Sequence, residues 1–282
     1  MRLGKWMGVG GLALGALCNG AATERPCTEF YARLPNVSWA LCEDVDLRGS
    51  AGRSVRGRTI YVRDVNPQEQ KLRVLVIGGM HGDELSSSSV ALHWIRLAEN
   101  AKDEVHWRFI PALNPDGLFD KPARRMNANG VDLNRNFPTP NWARESVYYW
   151  EKRTRKDPRR WPGPRPLSEP ESRFLHDEMY RFRPNLIVSI HAPYGVLDFD
   201  GPLKPPSRLG RLYLNQLGVF PGSLGNYGSV HIGMPVVTVE LPSAHLTPRN
   251  VEIKRMWNDL RNWMGGTLAQ NDPELPPRSM RR

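Results

Sequence analysis

The architecture of this protein is best predicted from one stretch, Leu72-Arg73-Val74-Leu75-Val76-Ile77-Gly78-Gly79-Met80-His81-Gly82-Asp83-Glu84. Five of its first six residues are large and apolar, with Val and Ile prominent, and two glycines follow them. Such a run predicts a strand that is buried on both faces, as in a parallel or mixed sheet. The polar residues 81–84 therefore come where a buried strand ends and the next helix begins.

Apolar strand patterns and helical patterns alternate along the rest of the chain. Strands are predicted at 57–65, 105–113, 186–190 and 235–241, and helices at 84–100, 169–182, 209–217 and 251–264. Strands that alternate with helices indicate an α/β fold. Neither a linker of domain-separating composition nor an internal repeat interrupts the pattern, so we expect a single domain over residues 23–268.

The composition sets the class of protein. The chain has 282 residues, of which 40% are hydrophobic and 24% charged, so it can bury a sizeable core. A disordered chain, a collagen and a disulfide-packed miniprotein are excluded. The formal net charge of +10 fits an anionic polymer as partner and ordinary solubility equally well.

Both ends of the chain differ from this domain. Residues 1–22 combine Arg2 and Lys5 with a short apolar run that ends in small residues, which is the pattern of a signal peptide. The run is too short to span a bilayer, which needs roughly 20 residues. Lipidation at Cys18 is disfavoured because Leu17 precedes it. We expect a periplasmic or secreted protein without a stable membrane anchor, and a disordered basic tail at 269–282.

Export changes the meaning of the cysteines. Cys27 and Cys42 are the only two that remain after cleavage near Ala22. In an oxidising compartment an isolated pair of cysteines is expected to form a disulfide. By closing the loop between them, this disulfide would stabilise the folded protein by roughly 3 kcal/mol. The alternative is two buried thiols.

Candidate metal ligands lie at the ends of two predicted strands. His81 and Glu84 are three residues apart in the turn after strand 72–77, so an imidazole nitrogen and a carboxylate can face one point. His191 follows strand 186–190, and ligands of open α/β sheets collect at such strand ends. Catalytic zinc takes three protein ligands and keeps one position for water. We therefore predict that these three residues hold one zinc ion.

Other polar residues add catalytic chemistry. Glu240 lies near the end of the strand 235–241, where a glutamate is costly unless it is paired, and it could move a proton between a metal-bound water and a leaving amine. Arg125 and Arg135 lie ten positions apart among asparagines. Arginine binds carboxylates through two hydrogen bonds and stabilises oxyanions, so each can do one of these tasks. Arg124 is a rival to Arg125.

A set of motifs in this order resembles the zinc carboxypeptidase superfamily, and within it the bacterial murein peptide amidases. The motifs are His81-Gly82-Asp83-Glu84, Asn114-Pro115-Asp116-Gly117, Arg125-x-Asn127, Gly130-Val131-Asp132-Leu133-Asn134-Arg135-Asn136-Phe137-Pro138, Ser189-Ile190-His191 and Glu240-Leu241-Pro242. The resemblance implies a mixed, twisted β-sheet with helices on both faces. It also implies the zinc ligands named above, with Glu240 as general base and acid.

The same resemblance implies roles for further residues. Arg125 would polarise the scissile carbonyl, while Asn134 and Arg135 would bind a terminal carboxylate of the substrate. Apart from the resemblance, Tyr194 and Tyr227 are aromatic residues that could either line the pocket or pack in the core. The implied substrate is a peptidoglycan stem peptide, cut between γ-D-glutamate and meso-diaminopimelate, and nucleic acid is not an expected partner.

Two alternatives and one segment stay open. The protein could instead be a zinc deacylase of small N-acyl amino acids, similar to desuccinylases and aspartoacylases, or a non-catalytic wall-binding protein on a peptidase scaffold. Residues 143–166 are rich in Arg and Lys and resemble an insertion. This basic insertion is either a docking loop for an anionic substrate or a solvated surface excursion.

Overall fold

The computed structural model describes Met1 and residues 26–68, 70, 72–101 and 103–268. Apart from Met1, the predicted signal peptide, which includes Cys18, and the predicted tail lie outside the described residues. The helices and strands are α1 (Pro26–Arg33), α2 (Trp39–Asp44), β1 (Arg48–Arg53), β2 (Thr59–Val65), β3 (Leu72–Ile77), α3 (Leu85–Glu99), β4 (Val105–Ile110), α4 (Pro115–Phe119), α5 (Trp142–Tyr148), α6 (Pro170–Phe182), β5 (Leu186–His191), β6 (Val196–Asp200), β7 (Arg208–Leu209), β8 (Leu212–Tyr213), β9 (Val236–Glu240) and α7 (Asn250–Thr267).

The large sheet has parallel strands at its centre. Its seven strands follow the order β1-β2-β4-β3-β5-β9-β6. The pairs β3–β4, β3–β5 and β5–β9 are parallel, whereas β1–β2, β2–β4 and β6–β9 are antiparallel. The predicted α/β domain with a mixed sheet is therefore confirmed.

Side chains of the central strands alternate between two cores, because successive residues of a strand point to opposite faces of the sheet. From β3, Val74 and Val76 pack into one core together with α3 and α7. Leu75 and Ile77 pack into the other core together with α6. Helices thus cover both faces, as predicted, and we call the second side of the sheet the α6 face.

One predicted helix is wrong. Residues 209–217 contain no helix; the two-residue strands β7 and β8 form a small hairpin there. Gly210 at the turn has a φ of +59°, which a helix does not allow. Acidic side chains of α7 hold the hairpin, because Asp259 accepts from the Gly210 N–H at 2.8 Å and Glu252 accepts from the Arg211 N–H at 2.6 Å.

Helices α1 and α2 pack onto the core that contains α3 and α7. Cys27 of α1 and Cys42 of α2 are joined by a disulfide, with their Cα atoms 5.5 Å apart. Both cysteines are buried in the core that contains α3 and α7. Among the described residues, no helix combines the length and the apolar character needed to cross a membrane.

A buried acidic residue supports the loop between β1 and β2. Glu171, near the start of α6, is fully buried and accepts from the Val55 N–H and from the Asn127 side-chain amide, both at 3.0 Å. Burial raises the pKa of the Glu171 carboxyl to about 7. The folded protein therefore binds a proton here that the unfolded chain releases near pH 4.5.

This shift predicts a specific pH dependence of stability. The stabilisation from protonated Glu171 is fully present below about pH 4.5 and is lost as the pH rises through 7. We compare the free energy of unfolding in denaturant of Glu171→Gln with that of wild type at each pH. Between pH 5 and pH 8 this difference should shift in favour of the variant by about 2–3 kcal/mol, because only wild type loses the stabilisation. The same change at the exposed Glu43 is the control. A constant offset between Glu171→Gln and wild type across this range would contradict the prediction.

Candidate metal centre and active site

The predicted site residues meet at the carboxyl edge of the parallel strands. In the β5–β9 pair His191 lies beside Glu240, and in the β3–β5 pair Ile77 lies beside Ser189. The turn that carries His81 and Glu84 follows β3 directly. These elements open onto one cavity of about 510 Å³, which we call the active-site cavity.

The turn after β3 requires glycine at position 82. A Cβ atom on Gly82 would lie 2.2 Å from the carbonyl carbon of Gly117 and 2.6 Å from the carbonyl oxygen of Arg124. The Gly82 N–H also donates to the carbonyl of Arg125 at 3.3 Å. This close approach packs the turn against the loop after α4, so that His81 and Glu84 both line the cavity.

His81, Glu84 and His191 converge with their ligand atoms on one point. These atoms all lie within 4.8 Å of one another, and the three residues are buried. The Nδ1 of His81 lies 2.8 Å from one carboxylate oxygen of Glu84, and the Nδ1 of His191 lies 2.9 Å from the other. The two Nδ1 atoms are 3.1 Å apart. The structure thus brings together the three residues that the sequence predicts as metal ligands.

This arrangement fits a zinc ion. Two nitrogen ligands of tetrahedral zinc lie about 3.3 Å apart, close to the separation of the two Nδ1 atoms. Each histidine is held through its other nitrogen, since Nε2 of His81 lies 3.1 Å from Asp132 and Nε2 of His191 lies 3.0 Å from Ser189. Such outer hydrogen bonds are typical of histidines that bind metal. Burial opposes ionisation of Glu84, but the two histidines outweigh it and lower the pKa of this carboxyl.

Asp132 connects the metal ligands to Arg125. It is fully buried, and its two oxygens serve different partners. One lies against His81 and also accepts from the Asn134 N–H at 3.0 Å. The other accepts from the Arg125 side chain at 2.9 Å and 3.1 Å. Asp132 therefore fixes the position of a ligand and of a cavity guanidinium at once.

Of the two rival arginines, only Arg125 lines the active-site cavity. Its guanidinium also lies 3.7 Å from Glu84, which places a positive charge beside the ligand group. Arg124 forms an ion pair with Asp120 at 2.5 Å instead. Arg125 is thus the arginine that can meet a substrate carbonyl.

Asn134 and Arg135 occupy the wall of the cavity beyond Asp132. The side-chain oxygen of Asn134 accepts from the Leu224 N–H at 2.8 Å. Arg135 is only 5% exposed, and its Nε is buried without a hydrogen-bond partner. The guanidinium lies over the ring of Phe220 at 4.8 Å. Burial lowers the pKa of Arg135 more than the nearby Asp132 charge raises it, so an anion bound beside this guanidinium would be stabilised.

Glu240 lines the cavity beside His191. It is 7% exposed, and its Oε2 atom is buried without a hydrogen-bond partner. Burial raises the pKa of this carboxyl. Glu240 is not part of the cluster of metal-ligand atoms, so its oxygen remains available to take up a proton.

The two tyrosines lie in different places. Tyr194 is 59% exposed and lines the cavity. Tyr227 is not a cavity-lining residue: it is 5% exposed, its ring stacks on Phe137, and its hydroxyl lies 3.1 Å from that of Tyr180. The structure therefore assigns Tyr227 to core packing, the second of the two roles that sequence leaves open.

Part of the basic insertion reaches the active-site cavity. Asp157, Arg159 and Arg160 line it, and Arg159 donates to Asp83 at 2.5 Å. The carbonyl of Trp161 accepts from the Asp132 N–H at 2.8 Å. The end of this segment is thus tied to the metal-binding loops, which a purely solvated excursion would not be.

The fold and the site define a class of enzyme. The zinc carboxypeptidase family model matches residues 44–198. The chain belongs to this family, and it is a hydrolase that acts on peptide or amide bonds. The resemblance noted in the sequence is thereby confirmed.

Within this family, the chain is similar to bacterial murein peptide amidases. Murein peptide amidase A from Vibrio campbellii is 34% identical over 212 residues, which cover 70% of this chain and 81% of that protein. Murein peptide amidase A from Escherichia coli K12 is 32% identical over 175 residues, covering 60% of this chain and 70% of the relative. The crystal structure of murein-tripeptide amidase MpaA from Escherichia coli O157 matches with a TM-score of 0.58 and 28% identity, covering 76% of this chain and 91% of that one.

Proposed function

We propose that this protein is an exported zinc amidase that cleaves peptidoglycan stem peptides between γ-D-glutamate and meso-diaminopimelate. The observation that carries the proposal is the buried guanidinium of Arg135, whose Nε has no hydrogen-bond partner, in the same cavity as the cluster of His81, Glu84 and His191. A substrate whose free carboxylate lies next to the cleaved amide would satisfy Arg135 and present its carbonyl to the cluster. Similarity to murein peptide amidases supports the choice of peptide.

Each residue of the site has a defined task in this reaction. A zinc ion held by His81, Glu84 and His191 would supply an activated water and a Lewis acid. Glu240 takes the proton of the attacking water and delivers it to the leaving amine. The Arg125 guanidinium stabilises negative charge on the carbonyl oxygen.

Asn134 and Arg135 orient the substrate. Arginine binds carboxylate through two parallel hydrogen bonds, and its unpartnered Nε is one such donor. Because the Asn134 side chain is fixed by Leu224 N–H, its free amide group can donate to the same carboxylate. Binding of the carboxylate by these two residues favours cleavage of the amide next to a residue that carries a free carboxylate.

The test is hydrolysis of L-Ala-γ-D-Glu-meso-diaminopimelate compared with N-acetyl and N-succinyl amino acids. We expect the zinc-loaded protein to cleave the tripeptide and a chelator to abolish the activity, which added zinc restores. Faster cleavage of the N-acyl amino acids would instead favour a deacylase. Absence of any hydrolysis by zinc-loaded protein would favour a wall-binding role.

Export is part of the proposal. The pattern of residues 1–22 and the disulfide between Cys27 and Cys42 both favour an oxidising compartment. Fractionation of cells that express the full chain checks this: we expect cleaved, oxidised protein in the periplasm or medium. Full-length protein with free thiols in the cytoplasm would contradict it.

A further inference from the structure

A pair of carboxylates lines the active-site cavity near Glu240. Asp198 and Asp200 both belong to β6, the edge strand that pairs antiparallel with β9. Asp198 lies opposite Thr238, and Asp200 lies opposite Val236. Directly opposed residues of an antiparallel pair project to the same face of the sheet, and alternate residues of one strand share that face. Both acids therefore project on the α6 face together with Glu240.

This pair lacks a counter-charge. Among the described residues, no Lys, Arg or His forms an ion pair with Asp198 or Asp200. Asp198 is 5% exposed and accepts from the Leu217 N–H at 3.1 Å. Burial, and then the neighbouring Asp198, raise the pKa of Asp200 to about 7. Two such carboxylates are costly to bury unless a ligand supplies a cation.

A second observation points independently to a ligand in this cavity. Arg135 is more than nine-tenths buried, lines the cavity, and has an Nε without a partner. The Arg135 guanidinium can bind a carboxylate, as described above. The cavity thus presents a cation with an unpartnered Nε on one wall and, on another, carboxylates without an ion pair to any described residue, which suits a ligand that carries both charges.

The segment Leu224–Gly225 shows how close the two walls are. Leu224 N–H donates to the Asn134 side chain at 2.8 Å, and a Cβ atom on Gly225 would lie 2.0 Å from an Asp200 oxygen. Summing these contacts and the intervening bonds bounds the distance between the Asn134 and Asp200 oxygens at roughly 12 Å. The α-carboxylate and the far amino group of an extended diaminopimelate are about 9 Å apart. One residue can therefore reach both walls.

We propose that Asp198 and Asp200 bind the ammonium group at the far end of the diaminopimelate side chain. They thereby select the residue that cleavage releases, while Asn134 and Arg135 hold its α-carboxylate. The inference rests on the proposed function and deepens it. It assigns recognition of the side chain to two residues of β6, separate from those that carry out hydrolysis.

The experiment removes the ammonium from the substrate and the charges from the protein. Zinc-loaded enzyme is assayed with L-Ala-γ-D-Glu-meso-diaminopimelate and with the same tripeptide ending in L-2-aminopimelate, which lacks only the far amino group. We expect kcat/KM of wild type to be about 10- to 100-fold higher for the first substrate, since a charge-assisted hydrogen bond is lost in the second. In the double variant Asp198→Asn, Asp200→Asn this ratio should fall close to one.

Controls separate specificity from folding. Asparagine keeps an acceptor for the Leu217 N–H, and zinc content and melting temperature report the integrity of the variant. Asp177→Asn removes a carboxylate from the exposed surface of α6 and should keep the wild-type ratio. A wild-type ratio near one, or an unchanged ratio in the folded double variant, would overturn the assignment while leaving the amidase function intact. Failure of wild type to cleave the diaminopimelate peptide would overturn the proposed function itself.

Discussion

Glu240→Gln is expected to lower kcat for the tripeptide by about 10²- to 10⁴-fold, the usual contribution of a positioned proton-transfer group. The Glu240 Oε2 atom is buried without a partner at the end of β9, beside His191. Glutamine fills the same space but cannot accept and return a proton. Because Glu240 lies outside the ligand cluster, the variant should retain one zinc ion per chain. Turnover and metal content, measured on the same preparation, check both parts.

The outcome separates proton transfer from metal binding. Loss of zinc together with activity would indicate that Glu240 supports the metal site, and unchanged turnover would eliminate it as the base. Glu43→Gln, on the exposed surface, is the matched control and should retain full activity. Circular dichroism of both variants excludes a folding defect as the cause.

The sequence predicts the centre of the fold better than its edges. β3, β5 and β9 are mostly apolar runs, which predicts burial on both faces, and the residues at their ends are therefore predictable as neighbours. The edge strand β6 reads Val196-Leu197-Asp198-Phe199-Asp200, and its two acidic residues line the active-site cavity. Which way its acids point depends on the pairing register with β9, and the local sequence does not determine that register.

Single side chains also depend on details that a sequence does not contain. Arg124 and Arg125 are adjacent, and backbone direction alone decides that one meets Asp120 and the other Asp132. Tyr227 follows a glycine-rich turn that could open onto the cavity, yet its ring is stacked in the core. In both cases tertiary packing decides between roles that the local sequence allows equally.

Asp132→Ala tests the connection between the metal ligands and the arginine of the cavity. The change removes the hydrogen bond to His81 and the ion pair with Arg125 together. Loss of an outer partner of a metal ligand typically weakens metal binding by about 10- to 100-fold. Misplacing a group that stabilises the oxyanion typically costs about 10²- to 10³-fold in kcat.

Assays at limiting and at saturating zinc distinguish the two effects of Asp132→Ala. Excess zinc should refill the site but leave kcat low, because Arg125 would still lack the acceptor that orients it. Arg124→Ala is the control, since Arg124 pairs with Asp120 away from the cavity and its loss should change kcat less than about threefold, within the small contribution of an exposed ion pair. Full recovery of kcat at saturating zinc would show that Arg125 needs no fixed partner. Asp132 would then act on the metal alone.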